Sequence, residues 1–251
     1  TWYHSGPNWR HRFKLVVGVV HTNYIYYAKS WSSGGPLIAE ALKGINQLVC
    51  TAYCDKVIKL SDTLQPLPRA VVCNVHGVRA DFLEIGRRAS LPFGRHRRGA
   101  YFLGKALWAK GHRLLIDYLQ LQRDRGEAET HIDVFGKGED LGAIRAEAEH
   151  RRLAIDFHGP TDHAGKLLRE YKVFVNPSQS EVLSTTTAEA LAMGKFAVIQ
   201  RHPSNDFFVQ FRNALLYDSP EEFLQQLRRA MENVPSPLSP EERRALSWEG
   251  A

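Results

Sequence analysis

The sequence predicts an α/β protein built on parallel sheets. From Tyr101 onward, short apolar segments of strand length alternate with segments of helical spacing, and this order requires right-handed crossovers between parallel strands. The 251 residues are 43% hydrophobic and 24% charged, as in an ordinary globular protein with one large or two small domains. No apolar run approaches the ~20 residues of a membrane-spanning helix. These observations define the fold class before any motif is considered.

The first part of the chain contains few predicted elements and ends in a segment with linker character. Four segments have the character of secondary structure: a buried strand at 13–20, a helix at 36–53, and short strands at 56–60 and 71–75. Residues 86–99 then bring Gly, Pro and several arginines together, which predicts a basic linker. We therefore expect residues 1–85 to form an N-terminal domain that is separate from the rest of the chain.

Residues 100–251 predict a complete second domain. Its strand and helix pairs are expected at 101–103 and 112–123, 131–135 and 139–152, 154–157 and 164–171, 173–176 and 184–193, 196–199 and 205–211, and 214–217 and 220–233. Three prolines then interrupt the chain before a last helix at 241–248.

Two glutamates eight positions apart follow the fourth strand of this second domain. Glu181 lies in the loop, and Glu189 is expected roughly 8 Å along the helix that begins near Ser184. The N–H groups of Ser184, Thr185 and Thr186 lie between the two acids, and a helix start binds anions because its donors have no partners and its dipole favours negative charge. This arrangement suits sugar hydroxyls, a diphosphate and ribose hydroxyls, in that order.

The alternative is that Glu181 is a solvated loop acid and Glu189 a surface residue of the helix. The surrounding βα units favour a ligand site, because ligands of such sheets bind at the carboxyl ends of the strands. Losing either acid is expected to cost roughly tenfold to a hundredfold, since a hydrogen bond to a carboxylate contributes on the order of 1.5–3 kcal/mol.

Gly104, Lys105 and Lys110 follow the first strand of the same domain. The glycine allows the backbone to approach a ligand, and the two lysines can neutralise charge on a departing diphosphate. Two ordinary surface lysines are the alternative. His21 ends the first predicted strand; a role in a cleft and a role in capping or packing remain equally open for it.

The net charge of +6 comes from 33 Lys and Arg against 27 Asp and Glu, and part of the excess lies between Arg87 and Arg98. Such a cluster can bind nucleic acid or an anionic membrane, but a solvated loop is the commoner explanation. No nucleic-acid-binding motif accompanies it, so no nucleic-acid partner is expected. Three cysteines without a histidine cluster predict buried reduced thiols and no metal site.

The paired acids and the glycine-lysine segment resemble the donor site of retaining GT-B glycosyltransferases. The supporting residues are Glu181 and Glu189 after Asn176-Pro177-Ser178, and Gly104-Lys105 followed by Lys110-Gly111. Longer segments are similar to the digalactosyldiacylglycerol synthase family of plants and algae, namely 20–24, 53–57, 72–78, 99–105, 171–178 and 187–195.

The resemblance implies a GT-B fold with one complete Rossmann-like nucleotide-sugar domain and the C-terminal part of an acceptor-side domain. It implies transfer of galactose, with retention, from UDP-galactose to the galactolipid monogalactosyldiacylglycerol by a peripheral protein of the chloroplast outer envelope. By this similarity Glu181 holds the sugar hydroxyls, Glu189 the ribose, and Lys105 and Lys110 the diphosphate, while His21 lies beside the transferred sugar. Neither a metal nor another cofactor is implied.

The chain departs from the broader superfamily at two places. Val182-Leu183-Ser184 stands where Gly-Phe-Gly is common, and Lys105 stands where Arg is common. Residues 1–85 also supply only the last portion of an N-terminal domain, and the chain begins without Met, so we expect a fragment that binds donor poorly or is inactive alone. The alternatives are a related glycosyltransferase with another donor or acceptor, and a nucleotide-binding protein without catalysis.

Overall fold

A computed structural model describes residues 5–29, 34–73, 77–89, 98–179 and 181–250, apart from the side chain of Tyr27. The chain forms two compact units: unit 1 comprises Thr1–Val75 and Ser180–Leu183, and unit 2 comprises His76–Gln179 and Ser184–Ala251. Every strand pairing within the described residues is parallel. The predicted α/β class with parallel sheets is therefore confirmed.

Unit 1 contains a three-stranded sheet in the order β1-β2-β3. Its elements are α1 (Gly6–Arg12), β1 (Val17–Val20), α2 (Tyr24–Lys29), α3 (Gly35–Tyr53), β2 (Lys56–Lys59) and β3 (Ala70–Val72). The predicted helix at 36–53 thus begins one residue earlier. The predicted strand at 13–20 is shorter, because Phe13 and Leu15 are exposed and only the last four residues pair with β2. The last residues of the strand predicted at 71–75 lie outside the described ranges.

Helix α3 covers one face of this small sheet. Its Cys50 packs in a buried cluster with Cys54 and Val57, and burial raises the pKa of the Cys50 thiol to about 11. A Cβ at Gly18 would lie 2.8 Å from the Cys54 sulfur, so the close contact needs a glycine there. Cys50 and Cys54 are therefore buried free thiols, as predicted, whereas Cys73 is exposed.

The opposite face of the same sheet is open in the described structure. Val17 and Val19 in β1 are 45% and 52% exposed, and Val71 in β3 is 40% exposed. Parallel sheets usually bury both faces, so this row of valines is an unusual surface for a soluble domain.

Unit 2 contains a six-stranded sheet in the order β6-β5-β4-β7-β8-β9. Its strands are β4 (Arg98–Leu103), β5 (Ile132–Phe135), β6 (Ile155–His158), β7 (Tyr171–Asn176), β8 (Phe196–Gln200) and β9 (Ala214–Tyr217). Its helices are α4 (Ala80–Ala89), α5 (His112–Asp124), α6 (Leu141–His150), α7 (Lys166–Arg169), α8 (Thr185–Ala192), α9 (Pro220–Glu232) and α10 (Pro240–Ala245). Two 3-10 helices span Trp108–Lys110 and Pro203–Gln210.

Successive residues of the central strands point to opposite faces, and both faces are buried. Tyr101 in β4 and Phe174 in β7 pack in one cluster with α4 and α8. Phe102 and Val175, their neighbours in sequence, pack in a second cluster with α5 and α9. Strands buried on both faces have no polar alternation, which explains why this part of the sequence shows continuous apolar runs.

The division between the units differs from the predicted boundary at residue 85. Helix α4, whose last four residues fall in the predicted linker, belongs to unit 2, where a Cβ on Gly86 would lie 2.0 Å from the carbonyl oxygen of Ala192. The glycine that suggested a linker is thus a helix contact. Arg98 and Gly99, also assigned to the linker, form the start of β4, and residues 90–97 lie outside the described ranges.

Two further predicted helices are different in the structure. The helix expected at 164–171 is reduced to α7, because β7 already begins at Tyr171. The helix expected at 205–211 is the 3-10 helix Pro203–Gln210.

The described arginines of the basic cluster form intramolecular ion pairs. Arg87 and Arg88 both contact Glu84 in α4, and Arg98 contacts Glu170. Among the described residues, no helix combines the length and apolar character that a membrane span requires.

Lys195, between α8 and β8, is completely buried. Its Nζ donates to the backbone carbonyl oxygens of Leu168 and Tyr171, and it lies 5.1 Å from the centre of the Tyr101 ring. Burial lowers the pKa of this amine well below its usual value. The side chain therefore joins the end of α7, the start of β7 and the ring on β4, which are distant in sequence.

We expect Lys195→Met to lower the free energy of unfolding by about 1–3 kcal/mol, because it removes the ammonium donor from two backbone carbonyl oxygens in the core. Lys166→Met, at an exposed lysine of α7, is the matched control and should stay within about 0.5 kcal/mol of the parent. Denaturant titration measures both. Equal stability of the Lys195 variant and the parent would contradict the structural role.

Candidate functional site

The order of strands in unit 2 reverses between β4 and β7. The chain proceeds from β4 to β5 and β6 on one side and then returns to place β7 on the other side of β4. Ligands of open parallel sheets bind beyond the carboxyl ends of the strands at such a switch point. The loops that begin at Gly104 and at Pro177 flank it, and both contain predicted site residues.

The loops after β4 and β5 are packed backbone against backbone. The amide of Gly104 donates to the oxygen of Phe135 over 3.1 Å, and the amide of Ala106 donates to the oxygen of Lys137 over 3.1 Å. Gly136 has φ +143°, and a Cβ there would lie 1.8 Å from the oxygen of Gly104. The position of Gly104 is therefore determined by a glycine in the loop after the neighbouring strand.

Gly111 joins the β4 loop to the loop after β7 in the same way. It has φ +89°, and a Cβ would lie 2.8 Å from the amide nitrogen of Ser178 and 2.9 Å from the carbonyl carbon of Pro177. The oxygen of Gly111 also accepts the first backbone bond of α5, from Leu115 over 3.0 Å. Three loops at the carboxyl edge are thus in direct backbone contact.

The predicted phosphate-binding lysines lie in the first of these loops. The Lys105 side chain is exposed, while its backbone oxygen lies 3.1 Å from Nε2 of His112. His112 is buried against the ring of Phe102, and burial lowers its pKa, so the neutral imidazole donates to that oxygen. Lys110 is half-buried in the 3-10 helix that precedes Gly111.

Helix α8 begins where the sequence predicts, at Ser184 and Thr185. The Ser184 hydroxyl does not cap the helix: its Oγ accepts from Nδ2 of Asn176 over 3.0 Å and lies 2.6 Å from Oγ1 of Thr187. Within the described part of the chain, no side chain caps this helix start. The first-turn N–H groups, including those of Thr185 and Thr186, therefore point toward the switch point without a side-chain acceptor.

Asn176 has a role that the sequence analysis missed. Its Nδ2 orients Ser184, and its Oδ1 accepts from the amide of Ser178 over 3.1 Å. It is 4% exposed at the end of β7. An amide side chain directly after an apolar strand and before proline is the signal that could have identified it.

Glu189 lies one turn inside α8 with its side chain 20% exposed. Its Oε2 is 2.7 Å from Nδ1 of His163, which the sequence analysis also missed. This hydrogen bond is the main cause that raises the pKa of His163. Glu189 also lies close to the buried Tyr101, whose pKa is raised by burial first and by the charge of Glu189 second.

The remaining predicted residues belong to unit 1. Glu181 is half-buried and is grouped with that unit, so the two glutamates fall in different units. His21 follows β1, is exposed, and has its Nδ1 2.9 Å from Oγ1 of Thr22. Unit 2 therefore places Gly104, both lysines, the start of α8 and Glu189 at one sheet edge, while the roles of Glu181 and His21 stay predictions.

A separate group of possible metal ligands lies at the amino ends of β5 and β6. Donor atoms of His131, Asp133 and Asp156 lie within 4.8 Å of one another. These groups are already hydrogen-bonded: His131 to Asp156 over 3.1 Å, and Asp133 to His158 over 2.6 Å and to the Tyr171 hydroxyl over 2.8 Å. The group does not belong to the carboxyl edge, where the expectation of no metal stays a prediction.

Comparison with known proteins identifies the family. Residues 97–233 match the sequence model of a family described as Glycosyl transferases group 1. Digalactosyldiacylglycerol synthase 1, chloroplastic, of Lotus japonicus is 49% identical over 255 residues, which cover 100% of this chain and 32% of that protein. Digalactosyldiacylglycerol synthase 2, chloroplastic, of Arabidopsis thaliana is 43% identical and is covered to 54%. The chain spans about a third to a half of the length of these relatives, and the predicted resemblance is confirmed.

Solved structures agree on the fold. TarM is 18% identical with a TM-score of 0.66, and the match covers 91% of this chain and 47% of that one. WaaG, a glycosyltransferase involved in lipopolysaccharide biosynthesis, is 15% identical with a TM-score of 0.62, covering 96% and 73%. Such neighbours have the GT-B fold, so the predicted GT-B class is confirmed.

We expect Gly136→Ala to lower the free energy of unfolding by about 1–3 kcal/mol, because alanine disfavours this φ and its Cβ clashes with Gly104. Amide hydrogen exchange at Gly104 and Ala106 should become faster. Gly142→Ala, in α6 with nothing within 4 Å of its Cβ, is the control and should stabilise by about 0.5–1 kcal/mol. If Gly136→Ala and Gly142→Ala changed the free energy of unfolding and the amide exchange equally, the contact between Gly136 and Gly104 would not position the loop after β4.

Proposed function

We propose that this chain, which belongs to the glycosyl transferases group 1 family, carries the donor site of a retaining galactosyltransferase of galactolipid synthesis. The proposed reaction moves galactose from UDP-galactose to monogalactosyldiacylglycerol and forms digalactosyldiacylglycerol. Similarity to digalactosyldiacylglycerol synthases at 42–49% identity over the whole chain supports this activity. A related enzyme with another donor, or a non-catalytic nucleotide-binding protein, has no comparable support.

One observation carries the proposal: among the described residues, no side chain caps the start of α8 at the topological switch point. The hydroxyl that would normally cap the helix is held by Asn176 and Thr187 instead. The first-turn N–H groups and the helix dipole then favour an anion with several acceptor oxygens, and the diphosphate of a nucleotide-sugar provides such an anion.

The charged side chains at the same edge complete the donor site. Lys105 and Lys110 neutralise the charge that develops on UDP as the sugar leaves, which lowers the barrier only if they act more strongly in the transition state than in the bound substrate. Glu189 accepts hydrogen bonds from the ribose. The resemblance assigns the sugar hydroxyls to Glu181 and the transferred galactose to His21, two residues of unit 1 whose roles stay predictions.

The acceptor of this reaction is a membrane lipid, so we propose that the protein works peripherally at a membrane surface. The chloroplast outer envelope is the proposed location; the word chloroplastic in the names of the relatives supports the chloroplast, and the envelope follows from the resemblance.

We expect Glu189→Ala to weaken UDP binding and to reduce galactose transfer by roughly tenfold to a hundredfold, because the ribose loses a charged acceptor. Calorimetry with UDP and a transfer assay with UDP-galactose and monogalactosyldiacylglycerol in mixed micelles measure the two effects. Glu232→Ala, at the exposed end of α9, is the control and should change neither. Unchanged UDP affinity and unchanged turnover in the Glu189 variant would show that Glu189 does not bind the ribose.

We also expect transfer to be independent of divalent metal, since two lysines and a helix start serve the diphosphate. Activity after treatment with EDTA should stay within about twofold of the untreated protein, because metal-ion catalysis typically contributes several kcal/mol where it operates. A large loss that Mg²⁺ or Mn²⁺ restores would show that a cation holds the phosphates.

A further inference from the structure

His163 and Glu189 come from different elements and meet beside the proposed nucleotide site. His163 lies in the loop after β6, and Glu189 lies in α8. Their side chains are 40% and 20% exposed, and Nδ1 of the imidazole is 2.7 Å from Oε2 of the carboxylate. The pair therefore lies at the boundary between interior and solvent, where a ligand can reach the carboxylate.

The loop that carries His163 is anchored on both sides. Oδ1 of Asp162 accepts from the amide of Ala164 over 3.1 Å, and the oxygen of Asp162 accepts from the amide of Gly165 over 2.9 Å. The oxygen of Ala164 accepts from Nε of Arg169 over 2.8 Å, and Ala164 itself is buried in the core. A partner on an anchored loop restricts the rotamers of a glutamate, which otherwise has three rotatable bonds.

Five influences act on the protonation of His163. The hydrogen bond to Glu189 and the charges of Glu189 and Asp162 raise its pKa, whereas burial and the charge of Arg79 lower it, and the net direction is upward. Arg79 is partly neutralised by Asp81, whose carboxylate lies 3.0 Å away. The imidazolium therefore persists to a higher pH than for an unperturbed histidine.

We propose that His163 is a positioning residue for nucleotide recognition: it holds Glu189 through Oε2 so that the other carboxylate oxygen accepts from the ribose hydroxyls. This inference rests on the proposed function, because it assigns the ribose to Glu189. A carboxylate offers about four lone-pair sites, so it can accept from His163 and from a ribose diol at the same time. The ligand class is a ribonucleoside diphosphate with both ribose hydroxyls present.

The test compares UDP with 2′,3′-dideoxy-UDP by calorimetry on the purified full-length enzyme, because this chain is expected to bind donor poorly by itself. The parent should prefer UDP. His163→Ala should weaken UDP binding by about five- to thirtyfold and leave the affinity for the dideoxy compound within about twofold, because only the diol uses the oriented carboxylate. His150→Ala, at the exposed end of α6, is the control and should keep the parent's preference.

The pH dependence provides a readout that a purely structural role would not change. The quantity to follow is the affinity for UDP divided by the affinity for 2′,3′-dideoxy-UDP. Titration of the phosphate groups does not change this ratio, because both ligands carry the same diphosphate. In the parent this ratio should fall as pH rises through the raised pKa of His163, since the charge-assisted bond to Glu189 is lost. In His163→Gln the ratio should be flat, because glutamine donates a hydrogen bond but does not titrate.

The outcomes distinguish failure of the proposed function from failure of the proposed role of His163. If the parent binds no UDP, the proposed function fails and the inference fails with it. If Glu189→Ala loses the preference for UDP but His163→Ala keeps both the preference and its pH dependence, the inference alone is overturned. Tighter UDP binding by His163→Ala would also overturn it, because His163 would then compete with the ribose for Glu189.

Discussion

The candidate site depends on close backbone contact between three loops at the carboxyl edge of the six-stranded sheet. Gly104 lies against Gly136, and Gly111 lies against Pro177 and Ser178, at distances that leave no room for a Cβ. These contacts determine where the lysine-bearing loop ends and where α8 can begin. The positions of the binding groups at this edge therefore depend on glycines, which allow the loops to approach each other, as much as on the larger side chains.

Polar groups then decide what this edge can bind. Asn176 and Thr187 hold the Ser184 hydroxyl, so it does not cap α8, and the dipole of the helix favours an anion at this end. The orientation of the Glu189 side chain is restricted, because one of its carboxylate oxygens is hydrogen-bonded to His163. An acceptor of fixed orientation beside a cluster of donors favours a ligand that carries an anionic part and hydroxyl groups together, and a nucleotide-sugar has both.

The repeating order of strands and helices could be predicted from the sequence because short, mainly apolar segments such as those of β7 and β8 alternate with segments of helical spacing and are bounded by turn residues. Helix α4 could not, since its Gly86 resembles a linker residue until Ala192 is seen against it. The glutamates and lysines were found because their chemistry is local to a motif. His163 was missed because its partner is 26 positions away, and a pairing of that kind needs the tertiary structure.

Lys195 has a consequence for chemical labelling. An amine that is enclosed by two carbonyl groups and an aromatic ring cannot meet an acylating reagent while the sheet is intact. Exposed lysines such as Lys105 and Lys166 react in the native protein. The rate at which Lys195 is modified, measured by mass spectrometry, would therefore report how fast unit 2 opens.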